Sequence, residues 1–478
     1  MRRDLESLVN ANSAGDQVMR PERDTLSWSS NVVGAFADRL DDSIGRRRFL
    51  GSPIEKFTVA LIALLPFLPR PTLEHPIRFV VPIFALVFLL INANRLIAAV
   101  SSVPREARVK ELVAIGAVLF VGYFGWSVIN AQSSELSRVF ARGLWIAVYL
   151  SMVIWFFCTA VSLSRIYKCI FLSSVALSIL VIFVGLTGVT IFEAPIPGRT
   201  YGVAIPFFKN TGVPRSYGEF GVLMSIAWAY WLVHFRQMPI STRVITGILL
   251  VTAIFISQSR STYLAILVIS GACAVNWLVR NTSDKARKTA FKLMLVGAIL
   301  LPALLELVLA SPIGRIGFVE AMIGQETFEE NVLTRFLIIS SALDALLEGG
   351  ASALFGISHA VWDANFEVIG QRPIALHNHF LSNLVFYGLI GGTLSLFAFF
   401  LYPFLGVLRR QIQFRDRTSL VALLALFGGI VNLHFYEGFF SLILALELAL
   451  LWCVGRGIML ETRNFKTTRF ANDLERAT

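Results

Sequence analysis

Long apolar runs separated by short polar segments recur along the chain after residue 55. Twelve of these runs are candidate membrane spans, because each approaches the roughly 20 residues that a helix needs to cross a bilayer core. The runs are 57–69, 78–94, 111–130, 142–162, 167–190, 217–235, 243–258, 261–279, 291–310, 378–406, 419–434 and 437–455. The pattern predicts an all-α polytopic membrane protein with about 12 transmembrane helices.

Composition supports this class. The chain has 478 residues, of which 56% are hydrophobic and 15% are charged. The four cysteines lie in or beside apolar runs, without the spacing of a metal site or a disulfide framework, so we interpret them as small core residues. The sequence has no Walker-type phosphate loop, no H-E-x-x-H motif and no nucleophile elbow, and the first outer loop has no paired acids, so we expect no metal and no cofactor. The sequence predicts four parts of the chain. They are a cytoplasmic, largely disordered tail (1–55), amino-terminal transmembrane helices (56–190), a core (191–406), and carboxyl-terminal transmembrane helices followed by a cytoplasmic tail (407–478).

The basic residues are distributed unevenly between the two sides of the predicted membrane. With a cytoplasmic amino terminus, 31 of the 42 lysines and arginines fall in cytoplasmic segments and 11 in outer segments. This bias predicts that both termini are cytoplasmic. Membrane topology therefore explains the net charge of +11 better than a nucleic-acid partner does.

The largest outer segment is 311–377, which lies on the outer face of the membrane in this topology. Its stretch "NVLTRFLIISSALDALLEGG" has leucines and phenylalanines at helical spacing and a glycine, Gly349, as its stop. The segment is therefore predicted to contain an amphipathic helix on the outer face, where binding sites are commonly built on loops.

Arginines mark the outer boundary. Arg215 precedes span six, Arg260 precedes span eight, and Arg335 and Arg372 lie in the large outer loop. Spans six, eight and ten all run inward, so their amino termini are expected to face outward and to favour a bound anion. Guanidinium groups match phosphate oxygens. The pattern indicates a site for a phosphorylated group, although Arg215 and Arg260 also fit the commoner role of boundary residues.

The stretch "ALHNHF" places two histidines at the start of span ten. Asn378 is a good N-cap, which leaves His377 just outside the helix as a candidate general base. His379 falls in the first turn, where it can pack or orient. Glu219 forms an S-x-x-E capping box with Ser216, so it is expected to cap its helix.

Four stretches, in this order, resemble the bacterial O-antigen ligase and polymerase superfamily of membrane glycosyltransferases. They are "PRSYGEFG" (214–221), "SQSRSTYLAILV" (257–268), "TRFLIISSALDALLEGGASALFGIS" (334–358) and "HNHFLSNLVFYGLIGG" (377–392). The resemblance covers residues 200–405, and the last stretch is the most specific.

The resemblance implies transfer of a glycan from undecaprenyl diphosphate to an acceptor hydroxyl on the periplasmic face of the inner membrane. It implies an inverting reaction without a metal, with His377 as base and with Arg215, Arg260 and Arg335 on the diphosphate. Asn378, His379, Arg372 and Glu219 are then supporting residues. The acceptor is a lipid A core sugar for a ligase of lipopolysaccharide, or another carrier-linked glycan for an O-antigen or exopolysaccharide polymerase; the ligase is slightly favoured.

Two readings of other classes stay open. A polysaccharide transporter or flippase fits twelve spans with both ends inside, and Glu447 is the residue that sits plainly within a span. A scaffold without catalysis would need the outer loop but not the arginines or His377.

Overall fold

The computed structural model describes residues 53–67, 145–153, 163–187, 217–257, 260–281, 338–344, 346–347, 350–357, 378–433 and 443–455, with a few isolated positions between them. These residues are helical apart from short connections. The helices are α1 (Pro53–Leu64), α2 (145–153), α3 (Leu163–Thr187), α4 (Tyr217–His234), α5 (Ile240–Ser257), α6 (Arg260–Asn281), α7 (338–344), α8 (Ala351–Phe355), α9 (His379–Leu396), α10 (Tyr402–Phe414), α11 (Arg417–Leu433) and α12 (Ile443–Gly455).

Four helical stretches of the described residues are long and apolar enough to cross a membrane. They are Leu163–Phe183, Ile240–Ser257, Ser261–Leu278 and His379–Phe414, and shorter apolar helices accompany them at Lys56–Phe67, Arg417–Leu433 and Ile443–Gly455. The predicted all-helical membrane class is confirmed to that extent. The count of twelve spans and the outer loop stay predictions, since much of both lies outside the described residues.

Small residues bring α4 and α11 into close contact. A side chain on Gly428 would meet Ser225, since its Cβ would lie 2.5 Å from the Ser225 hydroxyl oxygen, and a side chain on Gly221 would meet Asn432. The amide of Asn432 donates to the Ser225 hydroxyl at 3.3 Å. Because 221 pairs with 432 and 225 with 428, the two helices are antiparallel, packed through the small residues that let membrane helices approach closely.

Basic residues gather where α3 and α11 begin and α4 ends. Lys168 and Arg417 both act electrostatically on the ring of His234, the last residue of α4. We call this the basic end of the bundle. The amino end of α4 and the carboxyl end of α11 therefore lie at the opposite end.

Helices α2 and α12 both contact the part of the chain that follows α9. The ring of Tyr149 in α2 packs edge-on against Phe399, at 5.2 Å between centroids. At the crossing of α10 and α12 the backbones of Gly406 and Gly455 approach so closely that a Cβ on Gly406 would lie 3.2 Å from the Gly455 Cα. These contacts fix the helix that follows α9 against the rest of the bundle.

Helix α9 reverses direction in its middle. Gly388 has φ 67° and ψ −178°, which is not helical. The rings of His379 and Phe400 lie 5.6 Å apart, and the Ser395 hydroxyl donates to the Asn383 side chain at 3.3 Å. A straight helix would separate residues 379 and 400 by about 32 Å. The chain therefore forms a hairpin, with a short arm before Gly388 and a long arm that runs from Leu389 to Phe414.

The prediction that residues 378–406 form one continuous inward-running span is wrong, because the chain reverses direction at Gly388. The long arm alone has the length of a span, and it continues beyond residue 406 through a π-helical segment, Phe397–Leu401, to Phe414. The short arm runs the opposite way, so its amino end at His379 points toward the basic end. The reason is local: a positive φ at Gly388, a conformation that glycine adopts without a steric penalty, breaks a segment that hydropathy treats as continuous.

The predicted amphipathic helix is present in part. Residues 338–344 are helical, a turn at Gly350 with φ 46° follows, and α8 comes after it. Ile338 and Ala342 are buried, whereas Leu343 and Leu347 of the predicted apolar face are exposed. The predicted stop, Gly349, lies outside the described residues.

Candidate functional site

The predicted site residues divide between described and undescribed parts of the chain. The structure describes Glu219, Asn378 and His379, and it describes the backbone of Arg260. The other four predicted residues, Arg215, Arg335, Arg372 and His377, lie outside the described residues.

The amino ends of α4 and α6 converge on the carboxyl end of α11. Arg260 is the first residue of α6, so the helix begins one residue before the predicted span 261–279. Thr262, in the first turn of α6, is fully buried, and its hydroxyl oxygen would lie 2.8 Å from a Cβ on Gly221 in the first turn of α4. That same Cβ would press on the side-chain oxygen of Asn432. Two helix amino ends thus meet at one place, which we call the polar junction, defined by Gly221, Thr262 and Asn432.

A carboxylate stands beside this junction. Glu219 lies in the first turn of α4 and is only 4% exposed. An acidic group in the first turn interacts favourably with the partial positive charge of the helix amino end. This fits the predicted capping role, although its predicted partner Ser216 lies outside the described residues.

The predicted N-cap of the histidine helix is confirmed. The Asn378 side chain accepts a hydrogen bond from the backbone N–H of Leu381 at 3.0 Å, with Asn378 in an extended conformation. His379 follows with 2% exposure, and its ring packs edge-on against Phe380 at 5.9 Å and Phe400 at 5.6 Å between centroids. His379 therefore holds the short arm against the long arm, and packing is one of the two roles that the sequence leaves open for it.

The long arm and α11 pack in a defined register. The rings of Phe404 and Phe427 lie 6.4 Å apart, and each is ten residues from the end of its helix at the basic end. Positions on the two helices can therefore be compared by counting residues from that end at about 1.5 Å each.

The same count places His379 level with the polar junction. Phe400 lies 14 residues before the last residue of the long arm, and Asn432 lies 15 residues after the first residue of α11. The two positions are therefore about 21 Å and about 22.5 Å from the basic end. Since the ring of His379 packs on Phe400, the start of the histidine arm and the amino ends of α4 and α6 lie at one height in the bundle.

The "ALFG" segment, residues 353–356, docks on the hairpin where the chain reverses at Gly388. The backbone N–H of Ile357 donates to the carbonyl of Val385 at 2.9 Å. A Cβ on Gly356 would lie 2.5 Å from the Phe386 carbonyl carbon, and a Cβ on Gly388 would meet the backbone of Leu354. Two glycines with positive φ thus let two backbones touch, and together they tie residues 354–357 to the hairpin.

Glu447 is a buried carboxyl in α12. It is 3% exposed, and among the described residues neither of its carboxyl oxygens has a hydrogen-bond partner. The carboxyl fits because Gly429 of α11 has no side chain; a Cβ there would lie 2.8 Å from Oε1. Gly429 is within one helical turn of Asn432, so Glu447 lies near the height of the polar junction.

Sequence reasoning missed three residues that organise this region: Asn383, Gly388 and Asn432. Asn383 and Asn432 are polar residues inside apolar runs, where a side-chain amide needs a partner across helices. The run Gly388-Leu-Ile-Gly-Gly places three glycines within five residues, which is a signal for close backbone contact or a break.

We expect Gly221→Ala to lower the free energy of unfolding of the protein by about 1–3 kcal/mol, because the new methyl group must displace Asn432 and Thr262 at the polar junction. Thermal unfolding of the purified protein in detergent measures the change. Gly271→Ala in α6 is the matched control, since a Cβ there meets nothing within 4 Å. Equal unfolding temperatures for the two variants would contradict the junction.

Comparison with known proteins adds a family to this geometry. Residues 245–397 match the family model described as O-antigen ligase. The match begins in α5, includes Arg260, Arg335, Arg372 and the histidine stretch, and ends in the long arm of the hairpin. A search of curated proteins finds no match. The matched residues confirm the predicted resemblance: residues 245–397 of this membrane protein are similar to the O-antigen ligase domain of the O-antigen ligase and polymerase superfamily.

Proposed function

We propose that this protein is a membrane glycosyltransferase that moves a glycan from undecaprenyl diphosphate to an acceptor hydroxyl on the periplasmic face of the inner membrane. The observation that carries the proposal is the polar junction, where the amino ends of α4 and α6 meet within the height range of the histidine arm. The O-antigen ligase match supports the reaction class.

The polar junction suits a diphosphate. Arg260 begins α6, and Arg215 precedes the start of α4 at Tyr217 by two residues, so both arginines belong to chain segments that lead into the junction. Helix amino ends attract anions, and arginines bind phosphate oxygens in pairs. As the glycosidic bond to the diphosphate breaks, negative charge grows on the leaving group, and Arg215, Arg260 and Arg335 stabilise it.

The histidine arm supplies the base. His377 takes the proton from the acceptor hydroxyl while the hydroxyl oxygen attacks the anomeric carbon and undecaprenyl diphosphate leaves from the opposite face, so the anomeric centre is inverted. This mechanism needs no metal. Asn378 and His379 support the arm that follows His377, and Arg372 and Glu219 complete the polar surroundings.

The clustering of lysines and arginines at the basic end supports a cytoplasmic position for that end. Both termini are then cytoplasmic, and the polar junction faces the periplasm. The acceptor is a lipid A core sugar if the protein is a ligase; a polymerase would instead use a second carrier-linked glycan.

We expect Arg260→Ala, Arg215→Ala and His377→Ala each to lower glycan transfer by about 100-fold, because each removes a group that acts on the developing charge or the proton. Each variant is expressed in cells lacking the native gene, and surface glycan is measured per amount of protein in the membrane. Arg409→Ala is the control, since Arg409 is an exposed arginine toward the basic end. Near-normal transfer by both Arg260→Ala and His377→Ala would refute the proposal.

The size of the carrier-linked glycan in cells lacking the gene separates the two acceptors. A ligase predicts long polymer on undecaprenyl diphosphate and a bare surface acceptor, whereas a polymerase predicts single repeat units. An unchanged pool would refute the glycosyltransferase proposal, and uptake of glycan into vesicles that depends on Glu447 would support a transporter instead.

A further inference from the structure

A buried side-chain amide joins the two arms of the hairpin. Asn383 is 1% exposed, and its Nδ2 donates to the backbone carbonyl of His379 at 2.7 Å. Its Oδ1 accepts from the hydroxyl of Ser395, on the long arm, at 3.3 Å. Ser395 is itself 2% exposed. One amide therefore connects the first turn of the short arm to the long arm.

The backbones of the two arms also touch at this point. A Cβ on Gly392 would lie 2.6 Å from the carbonyl oxygen of Asn383 and 2.9 Å from the Cα of Leu384. Since residue 383 faces 392 and 395 while residue 379 faces 400, the arms run side by side in one antiparallel register about Gly388. Asn383 lies about midway along the short arm, between its start at His379 and the reversal at Gly388.

A π-helical segment widens the long arm where the short arm begins. The segment is Phe397–Leu401, and it includes Phe400, which packs on the ring of His379. Single π-turns inside α-helices occur frequently at functional sites. The start of the short arm is thus held at two points: the aromatic contact of His379 and the amide of Asn383.

We propose that Asn383 is a positioning residue for the transfer reaction: by bonding to both His379 and Ser395 it fixes the first turn of the short arm relative to the polar junction. That turn follows His377 by two residues in the chain. This rests on the proposed function. A general base acts only within hydrogen-bond reach of its proton, and a misplacement of about 1 Å can lower a rate about 100-fold. Donor binding depends on the arginines and is not altered by the amide.

The test measures the reaction itself with the full chain reconstituted in lipid. The donor is the lipid-linked glycan that accumulates in cells lacking the gene, and initial rates are measured against its concentration. Asn383→Leu keeps the volume and removes both hydrogen bonds, and Ser395→Ala removes one. Thr393→Ala, at an exposed position of the long arm, is the matched control. Thermal unfolding and the folded fraction are measured for every variant.

We expect Asn383→Leu to lower kcat per folded molecule by about 100-fold with an unchanged KM for the donor. Ser395→Ala should lower kcat less. The double variant should resemble Asn383→Leu, because Asn383 and Ser395 share one hydrogen bond. A fall in activity that follows only the folded fraction would overturn the proposal and leave Asn383 a structural residue. Unchanged kcat in Asn383→Leu, with His377→Ala inactive, would overturn it while the proposed function stands. Failure of the donor to accumulate would instead refute the proposed function.

Discussion

Gly388→Ala is expected to lower the stability of the folded protein by about 2–6 kcal/mol and to leave little of it in the membrane. Gly388 has φ 67° and ψ −178°, a region that essentially only glycine occupies, at about 1–3 kcal/mol for another residue. In addition, the new Cβ would press on the backbone of Leu354 and Phe355, which cannot move as a flexible side chain does. Such overpacking adds about 1–3 kcal/mol.

Two further glycines make this prediction specific. Gly356 lies on the other segment of the same backbone contact, and the Cβ of Gly356→Ala would lie 2.5 Å from the Phe386 carbonyl. Gly356→Ala should therefore lower the stability by a similar amount. Gly350→Ala has the positive φ, 46°, but a Cβ there meets nothing within 4 Å. Gly350→Ala should therefore lower the free energy of unfolding by the backbone strain alone, about 1–2 kcal/mol.

The measurements are the amount of each variant in the membrane and its unfolding temperature in detergent. A ranking with Gly388→Ala and Gly356→Ala well below Gly350→Ala supports the reversal of the chain and the docking of residues 354–357 on it. If Gly388→Ala were as stable as the native protein, the stretch would be one straight span, as hydropathy predicts.

Local signals in the sequence were reliable where a few neighbouring residues determine the structure. Asn378 as an N-cap follows from short-range hydrogen bonding and is confirmed. The same holds for the class of the protein, because the hydropathy of a spanning helix is a property of its own residues.

The hairpin was not predicted because hydropathy does not record direction. The residues on both sides of Gly388 are apolar, and glycine is common in transmembrane helices, so a reversal and a straight helix have the same profile. What distinguishes them is contact between residues far apart in the chain: Asn383 with Ser395, and His379 with Phe400. The convergence of α4, α6 and α11 likewise depends on Gly221 meeting Asn432, a pairing that neither segment contains by itself.

Asp416→Ala is the second substitution for which we expect a large effect, a loss of about 3–5 kcal/mol of stability. Asp416 lies in the connection between α10 and α11 and is almost fully buried. Its Oδ2 accepts from Nε of Arg410 at 2.8 Å, and its Oδ1 accepts from the backbone N–H of Ser419 at 2.9 Å. Alanine removes the cap of α11 and leaves the guanidinium of Arg410 buried without its carboxylate.

The pair also ties α12 to the rest of the protein, since Nη1 of Arg410 donates to the carbonyl of Val454 at 3.4 Å. Thermal unfolding of Asp416→Ala, Arg410→Leu and the double variant forms a double-mutant cycle, with the exposed neighbour Arg409→Ala as control. The double variant should be more stable than Asp416→Ala, because replacing a buried ion pair costs less than leaving one charge without its partner. If the two single losses in free energy of unfolding add up to the loss in the double variant, the two side chains act independently. The ion pair would then not be what holds α10, α11 and α12 together.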